Sequence, residues 1–189
     1  MKSTNILFAL AIAGIVLLLI NSWPQSNTSE QKTIEAGNRY FEDGLYVDAS
    51  KNFTAVIAQD PNNIEAIRGL ARSYMQLGKH DPALELFNQA IALVPDYAPS
   101  YANRGILHDR MQQYTLAIAD YRHALQLQPE LAKGPGWITR FLRNQAEPPP
   151  SILDRMNYLQ QELQKPETER LLQLPEKDQQ QRPYKIDHQ

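Results

Sequence analysis

Three prolines, Pro61, Pro95 and Pro129, stand 34 residues apart. Ahead of each, at the same offsets, lie small and aromatic residues. Thr33, Gly37, Ala49, Phe53 and Val56 precede Pro61, and Ile67, Ala71, Ala83, Phe87 and Ala90 precede Pro95. Tyr101, Gly105, Ala117, Tyr121 and Ala124 precede Pro129. Nothing else in the chain constrains its fold as much. Three copies in register, with no insertion, mean one structural unit made three times, and a period of this length is that of a helix–turn–helix unit.

The offsets carry a packing argument. Gly37, Ala71 and Gly105 sit where the two helices of a unit cross, and a larger side chain there would push the axes apart. Ala49, Ala83 and Ala117 are the matching small residues on the second helix. Tyr40 and Tyr74 fill the space beside these crossings, with His108 in that place in the third unit. Phe53, Phe87 and Tyr121 are expected to face the first helix of the next unit. One unit cannot bury its apolar face alone, so neighbours must stack. Helices are expected over 30–43, 46–59, 64–77, 81–93, 97–111 and 114–127. Asn62 with Glu65 forms a potential capping box, Asp81-Pro82 a second start signal, and Gly44 and Gly78 are expected left-handed helix ends.

These residues and their 34-residue spacing resemble the tetratricopeptide-repeat family over about 100 of the 189 residues. The resemblance implies a stack of helix pairs that holds other proteins in a concave face lined by the first helix of each unit. In register, that face would draw Gln31, Asn38 and Glu42 from the first unit. Glu65, Arg68, Arg72 and Gln76 would come from the second, and Asn103, Ile106 and Arg110 from the third. Arg68 and Arg72 are four apart and share a helical face, so they suit a carboxylate; a solvated basic face is the alternative. Chaperone-binding members of the family clamp a C-terminal carboxylate with lysines, asparagines and an arginine. Asn38 matches one of those positions, but Ile34, Gly69 and Pro99 stand where three others would be, which counts against that role.

Ahead of the repeats, Ile6 to Ile20 is fifteen residues without a polar side chain. As a helix it spans ~22 Å, against a bilayer core of about 30 Å. Thr4, Asn5, Asn21 and Ser22 make up part of the difference, and Trp23 suits the interface. The segment 6–22 reads as a membrane anchor; a cleaved signal peptide is the alternative, with Ile20, Asn21 and Ser22 a poor cleavage site. Lys2 precedes the segment, while Glu30 and Lys32 cancel after it. That bias places residues 1–5 in the cytoplasm and the repeats beyond the membrane, past a tether at 23–29.

After Pro129 the period stops. Gly134-Pro135-Gly136 breaks the chain, and Trp137, Ile138, Phe141 and Leu142 form an apolar stripe. Members of such families close the stack with an extra helix, so Trp137 and Phe141 are expected to cap the last unit within 132–147. Pro148-Pro149-Pro150 is a stiff spacer. Ser151 then caps a helix with Ile152, Met156, Leu159 and Leu163 on one face, which must bury against something, most simply the repeats. Pro166 is expected to start one more short helix through Leu174, and 175–189 is polar and extended.

Few signs of chemistry are present. The chain has no cysteine, which excludes disulfides and thiolate sites, and its net charge of −2 gives no general attraction to nucleic acid. His80, His108, His123 and His188 form no metal-ligand pair, and no phosphate loop, nucleophile elbow or dinucleotide fingerprint occurs. No enzyme, cofactor or metal is expected.

The expectation is therefore an all-α chain. A right-handed α-solenoid of three tetratricopeptide helix pairs (30–63, 64–97 and 98–131) carries a capping helix, an N-terminal transmembrane helix and a partly helical tail over 148–189. Its partners would be a protein or peptide in the concave face and a lipid bilayer at the N-terminal helix. The implied role is a scaffold or assembly factor of the bacterial cell envelope, anchored in the inner membrane with its repeats in the periplasm, or soluble there after cleavage. Alternatives are an organelle-membrane receptor with a cytosolic repeat domain, or an accessory subunit of a cell-wall enzyme.

Overall fold

The computed structural model describes residues 29–134, 150–174 and 183–184. The expected anchor at 6–22, and Trp137 and Phe141, lie outside the described residues. The chain divides into Met1–Lys32 and Thr33–Gln189. Of the first unit only the opening turn of one helix is described; the helix pairs and their core belong to the second. Among the described residues no helix is long and apolar enough to cross a membrane.

Six helices form three pairs: α1 (Ser29–Glu42) with α2 (Tyr46–Ile57), α3 (Ile64–Gln76) with α4 (His80–Leu93), and α5 (Ala98–Arg110) with α6 (Tyr114–Leu127). The sequence-derived helices agree to within two residues at each end. After α6 come a 3-10 turn, Pro129–Lys133, then α7 (Ile152–Leu163) and a single 3-10 turn at Glu167–Glu169. Among the described residues there is no strand.

The helix ends obey the period. Gly44 (φ +78°), Gly78 (φ +71°) and Gln112 (φ +61°) are 34 apart and all left-handed. In each case the next residue's N–H reaches back to the carbonyl five residues earlier, as from Leu45 to Tyr40 at 2.8 Å, Lys79 to Tyr74 at 2.9 Å and Gln113 to His108 at 2.8 Å. The first helix of every pair thus ends with the same turn, although the third copy has no glycine there. The starts are less regular. Asn63, not Asn62, caps α3, its side chain accepting from the Ala66 N–H at 3.0 Å. Asp81 lies inside α4, which begins at His80 without a side-chain cap. Proline in the first turn does not need a capping partner, since its missing N–H is one of those a helix start leaves unbonded.

The core runs through the stack in two clusters, one around Ile34, Ala49, Phe53, Val56 and Ala66 and one around Phe87, Ile106, Leu107, Tyr121 and Leu159. Tyr74 and Leu86 pack against both. The Phe53 ring is fully buried between two glycines. A Cβ on Gly37 would come within 2.9 Å of it, and one on Gly69 within 2.5 Å. Gly37 belongs to the same pair as Phe53 and Gly69 to the next, so one ring sits in a socket made by two first helices. Gly105 meets Tyr121 in the same way, at 2.7 Å. Tyr40, expected beside the first crossing, is instead 38 % exposed.

The helix α7 packs on α6 and on the turn after it, as expected for residues 151–164. Ser151 accepts from the Asp154 N–H at 3.2 Å while the Asp154 carboxylate accepts from the Ser151 N–H at 3.0 Å, closing the capping box. Ile152 and Leu159 are buried, with Met156 and Leu163 packed beside them. The helix is fixed by one buried ion pair. Arg155 donates from Nε and Nη2 to the two oxygens of Asp109, at 2.7 and 2.9 Å, and Tyr121 adds its hydroxyl to the same carboxylate at 3.3 Å. The short helix expected from Pro166 to Leu174 is reduced to its first turn. Residues 170–174 run extended along α7, where the Leu171 N–H donates to Glu162 at 2.8 Å and the Leu172 carbonyl accepts from Arg155 at 2.9 Å. Backbone groups that a helix would have bonded internally are held by α7 side chains instead.

Candidate functional site

The first helices α1, α3 and α5 form a row, and the residues expected to line it link one helix to the next. Asn38 on α1 donates to Glu65 on α3 at 3.2 Å. The Arg72 guanidinium on α3 stacks over Phe41 on α1 at 4.0 Å, with Glu42 at 4.0 Å. Arg68 stacks over Tyr97, just before α5, at 3.7 Å. Arg110 on α5 donates to the Met75 carbonyl on α3 at 3.4 Å.

The helical spacing of Arg68 and Arg72 predicts a solvent-facing pair. The structure buries both, leaving 7 % and 3 % exposed. They diverge, Arg72 onto the Phe41 ring of the preceding unit and Arg68 onto Tyr97, in the turn that leads into the following one. An arginine stem covers apolar surface and its planar head stacks on a ring, so these side chains close the joints between units. Burial pushes the Arg68 guanidinium below its ordinary value, with Tyr97 and Glu65 opposing, and burial does the same to Arg110. Among the described residues the Arg68 Nε and Nη2 have no hydrogen-bond partner. Gln76 is half-buried. Ile106 does not line the row: it is fully buried in the core.

Asn103 on α5, 1 % exposed, holds the one described stretch of the chain's end. Its Oδ1 accepts from the Tyr184 N–H at 2.7 Å and its Nδ2 donates to the Tyr184 carbonyl at 3.2 Å. A carboxamide presents one acceptor and one donor side by side, which matches the N–H and C=O of a single residue in extended backbone. The grip reads no side chain. The Tyr184 ring does find a place of its own, packed against the core with its hydroxyl donating to the Leu131 carbonyl at 3.3 Å. Burial pushes that phenol up to about 12, opposed by the Ile152 backbone beside it. Pro183 is buried as well.

The three positions that depart from the chaperone-binding pattern are occupied for structural reasons. Ile34 is 2 % exposed in the core. Gly69 has no room for a side chain beside Phe53. Pro99 lies in the first turn of α5 and is buried.

Other polar clusters serve packing. Arg104 grips Asp120 with bonds of 2.8 and 2.7 Å and reaches Asn88 at 2.8 Å, tying α5 to α6 and α4. His108 lies 2.6 Å from Gln113 and 3.7 Å from Asp120, and His123 rests on the Tyr101 ring. Among the described residues no three acidic or histidine side chains converge as metal ligands would.

Comparisons with known proteins agree with this architecture. Two family models, both described as tetratricopeptide repeat, match residues 40–103 and 98–131. Hsp70-Hsp90 organizing protein 3 of Arabidopsis thaliana is 27% identical over 103 residues, covering 54% of this chain and 18% of that protein. RNA polymerase II-associated protein 3 of Mus musculus is 35% identical over 96 residues, covering 51% of this chain and 14% of that one. The chain thus spans less than a fifth of the length of either relative. Among solved structures, the first such domain of Spaghetti (RPAP3), bound to the HSP90 peptide SRMEEVD, is 25% identical with a TM-score of 0.57. It covers 72% of this chain and 94% of that one. The period, the helix pairs and the family models coincide, and residues 40–131 are tetratricopeptide repeats.

Proposed function

We propose that this chain is a protein-binding scaffold that takes an extended, acidic peptide segment of a partner along the row of α1, α3 and α5. The observation that carries the reading is the Asn103 carboxamide, which grips both polar groups of one extended residue. Arg110, half-buried on α5, stands in the same row and its guanidinium favours carboxylates, while Arg68 and Arg72 are occupied by the rings at the joints. The Spaghetti domain, with its bound acidic peptide, supports the same type of ligand. Because Ile34, Gly69 and Pro99 replace the usual clamp, the grip would rest on Asn38, Asn103 and Arg110. Titration of the full chain with SRMEEVD should show binding, and Asn103→Ala should weaken it roughly tenfold, the value of two backbone hydrogen bonds. Absence of binding to the wild-type chain and to forms with an altered C-terminal segment would remove the acidic-segment reading.

The placement we propose is a single-pass anchor at 6–22 with the repeats in the periplasm of a bacterial envelope. Its support is the apolar run Ile6–Ile20 and the charge bias around it. The plant and mouse relatives, matched over the repeats alone, lend it no support. The full-length chain should stay with membranes through an alkaline carbonate wash. Recovery of a soluble form beginning near Trp23 would show a cleaved signal instead.

A further inference from the structure

The end of the chain lies on Asn103, the residue at the centre of the proposed peptide seat. We infer that the segment at Pro183–Tyr184 is a built-in occupant of that seat, which a partner segment takes only by displacing it. The inference rests on the peptide-binding reading of that row, and it adds what fills the seat in the free chain and which side chain the seat accepts.

The contacts have the character of a ligand's. Tyr184 is 81 residues from Asn103 in sequence and is held by two bonds to its backbone. Such a pair would hold any residue in the same extended conformation. What distinguishes this segment is the ring. It enters a space bordered by Leu131, at the turn after α6, and by Ile152, at the start of α7, and its hydroxyl meets the Leu131 carbonyl. The proline before it is buried, and proline favours the extended backbone the carboxamide needs. The seat therefore selects a proline-aromatic pair, and it is complete only when α7 is docked, since Ile152 borders the ring.

The occupant is strong enough to compete and weak enough to leave. Tethering gives it an effective concentration on the order of millimolar, so a partner's apparent affinity is lowered by the fraction of time the seat is filled. Its described grip is two hydrogen bonds and one ring, which a longer segment that also reaches Asn38 and Arg110 along the row can exceed.

The test uses the full chain in detergent. Hydrogen exchange at the Tyr184 amide should be at least tenfold slower than in a free peptide QQRPYKID. Asn103→Ala should abolish that protection while leaving the amides of α5 and α6 unchanged. In a second arm, labelled QQRPYKID is titrated into the wild-type chain and into Tyr184→Ala. The variant, whose own tail has lost its ring, should bind the added peptide at least fivefold more tightly. A Tyr184 amide exchanging at the free-peptide rate in the wild type, or equal affinity of both chains for QQRPYKID, would overturn the inference. The two readings fail separately. If SRMEEVD binds wild type and Tyr184→Ala equally, the groove stands and the occupant falls. If Tyr184→Ala binds QQRPYKID and not SRMEEVD, the occupant stands and the acidic segment falls.

Discussion

Gly69→Ala will cost the stack about 3 kcal/mol, at the upper end of the range for overpacking a filled core. The reason is geometric. The new methyl would sit 2.5 Å from two atoms of the Phe53 ring and 2.7 Å from a third. The ring cannot swing away, because Gly37 closes its other side at 2.9 Å and it is fully buried. The helices α1 and α3 must therefore separate, and with them the stacking of Arg72 on Phe41. In a denaturant melt the midpoint should fall with little change in slope. The double variant Gly69→Ala, Phe53→Leu should be more stable than the two single losses predict, because the smaller side chain vacates the space the methyl needs. A melt of Gly69→Ala that overlays the wild type would contradict the socket. Restoring any side chain at this clamp position meets the same obstacle.

Arg155→Ala will cost a similar amount, about 3–5 kcal/mol, by a different route. It leaves the Asp109 carboxylate buried without its guanidinium, and an orphaned buried charge is worse than no charge at all. Both partners are about 95 % buried. Replacing both, with Asp109→Leu and Arg155→Met, should recover most of the loss, because the desolvation penalty disappears along with the attraction. Exchange across 152–163 should accelerate in Arg155→Ala and recover in the double variant. Equal exchange in all three chains would show that α7 is held by its apolar face alone.

The periodic part of the fold is legible in the sequence because repetition multiplies a weak signal threefold. Pro61, Pro95 and Pro129 bracket six helices, and Gly44 and Gly78 mark their turns. Features that occur once have no such amplification. Gly69 is not on the glycine register of 37, 71 and 105, so its contact with Phe53 belongs to a joint between units that the offsets within one unit do not describe. Arg68 and Arg72 read as surface because charge pattern alone cannot show a guanidinium lying on a ring outside its own helix. Asp109–Arg155 and Asn103–Tyr184 pair a repeat with the non-repeating tail, where no spacing rule applies. Of the expected groove residues, Asn38, Glu65, Arg72 and Arg110 make contacts across the row and Asn103 holds the tail, while Ile106 goes to the core. The period gives its place in the register, but the helix presents that face inward.

The Asp109–Arg155 pair spans 46 residues of sequence, whereas the helix pairs are joined to their immediate neighbours. Local contacts form first and closures of long loops later. On a ribosome adding 5–20 residues per second, Asp109 waits roughly 2–9 s for Arg155 to be made. Asn103 waits longer, through 81 residues, for Tyr184. During synthesis the order of events is the reverse of that in the finished molecule: a partner that meets the repeats as they emerge finds Asn103 before Tyr184 exists.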